Sequence, residues 1–209
     1  MLLKLQKNAK ITLSILFIFI GIGLLTFNYF GSIKSNLFNE KNIEILSQQI
    51  ELPEEVMNIE EEEPEEEPVT TPVSYNGYIG YLEVPSLNIK RGFTDFNNPD
   101  NRLSRNILLV QGSTMPDVKN GNLILAGHNG RSRVSFFNDL YKIQDGAHAY
   151  VTYNGKVYDY LYKRQYDVPK VGTITVERDG GVNTLTLITC HQRYNNKQVV
   201  YIFELVEVK

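Results

Sequence analysis

Three hydropathy regimes succeed one another along the 209 residues of this chain. The first is Ile11 to Phe30, a run without a charged residue that is apolar all round rather than along one stripe. At about 1.5 Å per residue, some twenty helical residues cross a hydrocarbon core of about 30 Å, so the run predicts one transmembrane helix. A cleaved secretory leader shares the charged start, but the run is long for one, and Phe27-Asn28-Tyr29-Phe30 stands where a cleavage site wants small residues. Lys4, Lys7 and Lys10 predict a cytoplasmic tail over residues 1–10, an anchor over 11–30 and the rest of the chain outside the cell.

The second regime, 31–74, is polar. Glu60 to Pro68 holds only Glu and Pro, whose mutual repulsion and interrupted backbone suit a solvated acidic stalk. Within it, Leu37 to Leu52 spaces Ile and Leu as a short amphipathic helix would.

From Tyr75 to Lys209 the pattern changes to short runs of Val, Ile, Tyr, Thr and Leu broken by Gly, Asn, Pro and Asp. That predicts a mostly β domain, barrel or sandwich, with no βαβ alternation. The expected strands are 78–84, 87–92, 121–126, 147–153, 156–166, 173–176, 183–190 and 199–208, with short helices over 100–109 and 135–142. Tyr153-Asn154-Gly155-Lys156 predicts a type I′ hairpin, because Asn-Gly readily takes both left-handed positions.

Charge sharpens this division. Residues 1–74 carry five Lys and twelve Glu, net −7, whereas 75–209 carry sixteen Lys or Arg against twelve Asp or Glu, net +4. The basic residues are scattered rather than striped, which argues against nucleic acid as a partner. A single cysteine excludes an internal disulfide, no Cys/His cluster has zinc spacing, and neither a metal nor another cofactor is expected.

That cysteine, Cys190, ends the strand-like run Thr184 to Thr189, and His128 follows Leu123 to Ala126 between Gly127 and Gly130. Two strand ends on a rigid frame can bring distant side chains together. A thiol with a neighbouring imidazole and a nearby cation is the equipment of cysteine acyl transfer: nucleophile, proton shuttle and charge stabiliser.

At these residues the chain resembles the sortases, membrane-bound cysteine transpeptidases of Gram-positive bacteria. The likeness covers roughly 77–209 and rests on Thr186-Leu187-Ile188-Thr189-Cys190 and on Ala126-Gly127-His128, with echoes in Ile79 to Pro85 and Phe136 to Leu140. It implies an eight-stranded β-barrel with short helices behind the transmembrane helix. It also implies a transpeptidase that cleaves an LPxTG-like signal at the C-terminus of surface proteins and passes the acyl group to an amine of a cell-wall precursor. Cys190 would carry the acyl-thioester and His128 would move the proton. Sortases usually set an arginine near the start of the last strand, and here Gln198 occupies that place. Arg193 is the favoured substitute as oxyanion or substrate contact, with Lys197 and Gln198 as alternatives and Arg131 and Arg133 within reach of the cleft. His191 is expected on the opposite strand face. No second apolar span follows Val208-Lys209 and the segment before Cys190 is short, which fits a class A or class D-like enzyme. The rival readings are a catalytically impaired peptide-binding module, a cell-wall peptide hydrolase and a pilus-assembling sortase.

Overall fold

The computed structural model describes residues 2–51 and 77–209. The Glu60 to Pro68 run and the expected boundary at residue 75 lie outside the described residues. The chain forms two compact units, Met1–Glu40 and Lys41–Lys209. Helix α1 (Leu2–Glu51) extends well past the expected anchor and takes in most of the expected short helix. It contains no proline, and Pro53 follows its end, where a proline ring would interrupt the backbone ladder. Among the described residues no helix is long and apolar enough to cross a membrane. Several side chains of the Ile11 to Phe30 run fall outside the described set, so its length and polarity are a matter of sequence. In the second unit Ile43 and Leu46, three residues apart and hence on one helix face, are buried in a small cluster with Tyr78, against which Tyr81 packs.

Eight strands build the second unit: β1 (Gly80–Val84), β2 (Ile89–Phe93), β3 (Leu108–Leu109), β4 (Asn122–Ala126), β5 (His148–Tyr153), β6 (Lys156–Pro169), β7 (Thr184–Cys190) and β8 (Lys197–Val208). They form one sheet in the order β2-β1-β5-β6-β8-β7-β4-β3, curled into a nearly closed barrel. Every pairing is antiparallel except β4 with β7, which run parallel so that both end at the same rim. Alternation sorts the side chains. Leu185, Leu187, Tyr201 and Phe203 point into the main core, while Ile188, Val200 and Ile202 form a second apolar cluster on the outer face. The expected hairpin forms, with Asn154 at φ 47° and Gly155 at φ 72°.

Strand β7 is buried on both faces up to Thr189, and the Thr-Leu alternation of the motif follows from this. Leu185 and Leu187 fill the core, where truncation to Ala typically costs about 2–5 kcal/mol. On the other face the Thr184 and Thr186 hydroxyls both donate to Asn122 Oδ1 of β4, at 2.9 and 2.8 Å, so neither buried hydroxyl is left unpaired.

Seven expected strands are present within a few residues of their expected bounds; the eighth and both helices are not. Residues 173–176 alternate as a strand would, but the β6 and β7 edges are already paired, and the segment instead lays Ile174 and Val176 over the outer apolar cluster. Residues 100–109 form turns ending in β3 rather than a helix. Asn101 explains this, because its amide accepts from Leu109 N at 2.8 Å and donates to Leu109 O at 3.1 Å, standing in for a neighbouring strand. The expected helix over 135–142 reduces to one 3-10 turn, Leu140–Lys142.

Candidate active site

The site is assembled by register at the rim where β4, β7, β8 and β6 end. Ala126 pairs with Ile188, Ile188 with Val200, and Val200 with Tyr166, giving one apolar row across the outer face. Two residues further along, Cys190 pairs with Gln198 and Gln198 with Val168. Gly127 N donates to Ile188 O at 3.0 Å, continuing the β4–β7 ladder beyond Ala126 and bringing His128 level with Cys190 on the same face.

Three contacts fix this juxtaposition. Thr189 Oγ1 donates to Gly127 O at 2.8 Å, Asn129 Nδ2 donates to Cys190 O at 3.0 Å, and Phe137 N donates to His128 O at 3.0 Å. Both glycines of the loop are needed. A Cβ on Gly127 would stand 2.6 Å from the Phe137 ring, and Gly130 adopts φ +148°, which side-chain-bearing residues rarely take. The half-buried imidazole and thiol share no direct hydrogen bond; such contacts commonly tighten only around substrate.

The expected cations are distributed differently from the sequence reading. Gln198 does hold the place directly across from Cys190. Lys197, one residue earlier, faces the other way. Its ammonium binds Asp167 Oδ2 at 3.1 Å and lies 5.1 Å from the Tyr194 ring. His191 also faces away from the thiol row: Nδ1 accepts from Arg193 N and Tyr194 N at 2.9 and 3.2 Å, leaving the proton on Nε2, 3.8 Å from Asp167. Arg193 lies in the exposed β7–β8 turn and lines a half-open cavity of about 280 Å³ together with Asn129, Asp167, Cys190 and Tyr201. It makes no side-chain hydrogen bond or ion pair among the described residues, and Arg131 and Arg133 lie in an exposed turn with none to Cys190. Burial holds the Tyr201 phenol up at about 12.

The cation at the sulfur is one that sequence reasoning did not single out. Lys170 Nζ is 3.7 Å from Cys190 Sγ. Lys170 is the first residue after β6, two beyond Val168 and so on the same face, and its backbone N donates to Asn196 O at 2.8 Å. Only the β6–β8–β7 register makes it a neighbour of the thiol, and that register is not legible in spacing along the chain. Among the described residues no group of three or more His, Cys, Asp or Glu is placed to hold a metal.

Known proteins share this fold. The sortase domain family matches residues 82–205. The chain is similar to the protein named Sortase A of Bacillus anthracis, 29% identical over 132 residues that make up 63% of this chain and 61% of that protein. It thus spans about three fifths of that relative's length. In fold it is similar to a Clostridium perfringens sortase D5 transpeptidase, with TM-score 0.60 and 18% identity, covering 81% of this chain and 98% of that one. It is also similar to a Clostridium perfringens sortase C solved with the C-terminal cell wall sorting motif, with TM-score 0.55 and 22% identity, covering 63% and 72% of the two chains. The matched segment takes in every barrel strand's part of the Cys190–His128 rim, and by that match, over more than half its length, the chain belongs to the sortase family.

Proposed function

We propose that this chain is a membrane-anchored transpeptidase that cleaves an LPxTG-like sorting signal through an acyl-thioester on Cys190 and transfers the acyl group to an amine of the cell-wall precursor. The observation that carries this reading is the placement of His128 and Cys190 side by side at the ends of parallel neighbours β4 and β7. The thiol gives its proton to His128, and sulfur forms a bond to the signal's carbonyl carbon. The C–N bond then breaks as His128 protonates the departing amine. An incoming amine attacks the thioester, returns a proton to His128 and releases the thiolate. The partly exposed Ala126, Ile174 and Val176, packed on the buried Ile188 and Val200, offer apolar surface to an extended peptide. A relative solved with a sorting motif supports the substrate class.

Membrane attachment through residues 11–30, with 1–10 cytoplasmic, 31–74 as a stalk and 75–209 outside the cell, is part of the same reading. It is supported by the uncharged run and by the exposure of Leu13, every residue from Ile15 to Ile20, and Ile22, an apolar surface all around the helix. The short segment before Cys190 favours a class A or class D-like enzyme.

The test is incubation of the full chain in detergent with an LPxTG-type peptide, with and without an amine nucleophile. Cleavage between Thr and Gly with an amide product only when amine is present is the expected outcome. Cleavage at equal rates without incorporation of amine would mean a hydrolase. Binding without cleavage would mean the peptide-binding module that the neutral Gln198 favours.

A further inference from the structure

We infer that Lys170 is the catalytic cation of this site, supplied from the end of β6 in place of the arginine that Gln198 displaces on β8. The inference rests on the reading of Cys190 as the acyl-carrying nucleophile. It begins from the contact itself, an ammonium 3.7 Å from the sulfur. The row Val168–Gln198–Cys190 explains how a residue two strands away reaches the thiol. Lys170 follows Val168 by two, so its side chain leaves the same face and passes over the neutral Gln198 toward β7.

Several neighbouring cations are engaged elsewhere, and Arg193, which is not, shares the cavity with Cys190 but makes no contact with its sulfur. Lys197 is held by Asp167, Lys163 by Glu204 at 3.2 Å and Arg164 by Glu177 at 3.6 Å. Arg178 is spent on the carbonyls of Asp179, Val182 and Asn120. Lys170 has no carboxylate partner among the described residues; the sulfur is the group its ammonium meets. Its main chain is pinned by Asn196 O, so the charge is delivered from a fixed stem.

The chemistry follows from the charge. An ammonium beside the sulfur lowers the cost of negative charge there, and so favours the thiolate that attacks. When the carbonyl carbon is bonded to that sulfur, its oxygen gains negative charge within reach of the same ammonium, whose three donors can turn from sulfur to oxygen. Lys170 keeps its protons throughout. The proton taken from the thiol rests on His128 and leaves with the departing amine, so the balance of the reaction is unchanged. A neutral Gln198 then fits the site without further compensation, because one cation suffices.

The experiment compares the full chain with Lys170→Ala and Lys170→Arg in two readouts. The first is alkylation of Cys190 by iodoacetamide as a function of pH, which needs no substrate. Lys170→Ala is expected to react about tenfold more slowly at neutral pH, with the deficit closing at strongly alkaline pH where every thiol is ionised, and Lys170→Arg is expected to restore most of the rate. The second is thioester formation with an LPxTG-type peptide. Here Lys170→Ala is expected to lose on the order of 10²-fold and Lys170→Arg to recover most of it. Superimposable alkylation profiles for the parent and Lys170→Ala would overturn the inference and leave the transpeptidase reading intact. A lysine-dependent alkylation profile in a protein that forms no thioester would support the cation and overturn the transpeptidase.

Discussion

The two faces of one rim, which share strands β6, β8 and β7, carry opposite electrostatics. On the outer face His128, Cys190, Gln198 and Val168 form a row that contains no carboxylate, and one ammonium, Lys170, meets the thiol. On the inner face, displaced by one residue along each strand, Asp167 gathers Lys197 and His191, and the His191 ring caps the β7–β8 turn. The difference shows what strand alternation accomplishes here. Lys197 and Gln198 are adjacent in sequence, yet one belongs to a structural ion cluster and the other faces the reaction. A carboxylate placed on the outer row would compete with the thiolate for its cation; the fold keeps Asp167 on the other side.

The comparison breaks first at His128. His128→Gln keeps a polar side chain but removes the titratable imidazole, and thioester formation should fall about 10²- to 10⁴-fold in single-turnover kinetics with little change in melting temperature. A loss below tenfold would mean that another group moves the proton. The loop that presents His128 gives the next effect. Gly127→Ala drives a methyl into the Phe137 ring and should cost about 1–3 kcal/mol in denaturant unfolding, with a matching loss of activity as the loop shifts. The inner face should respond to alkali instead. Tyr201 has its phenol raised to about 12 by burial against an unfolded value near 10. The folded state therefore holds that proton more tightly, and the stability it contributes is complete below about pH 10 and lost as pH rises through about 12. Tyr201→Phe should flatten this part of the stability curve. The smallest effect is assigned to Lys197→Ala, which removes a half-exposed ion pair worth about 0–1 kcal/mol and should leave thioester formation within about threefold. A large activity loss there would erase the distinction between the two faces.

The sequence carried the fold in some places and not in others, and particular residues show why. Strands with alternating polarity or an Asn-Gly turn, such as β5 and β6, declare themselves locally. Ile174 and Val176 alternate equally well but never pair, because strand pairing depends on a free edge and none is available beside them. Asn101, which makes β3 possible by bonding both backbone groups of Leu109, reads as an ordinary turn residue. The same holds for the site. Cys190 and His128 stand out through residue type and flanking motif. Lys170 does not, since twenty residues and two strand crossings separate it from the sulfur. Arg193, close to Cys190 in sequence, lines a cavity with it but makes no contact with the sulfur. Proximity along the chain was a poor guide where register decides.

The central claim is that Cys190 carries the acyl group on the outer face. Its most direct measurement is intact-mass spectrometry of the full chain, acid-quenched during reaction with an LPxTG-type peptide, followed by peptide mapping. The account requires an added mass equal to the acyl fragment, located on Cys190, labile to hydroxylamine and absent from Cys190→Ala. A peptide cleaved at full rate by Cys190→Ala, or an adduct mapped to any other residue, would contradict it.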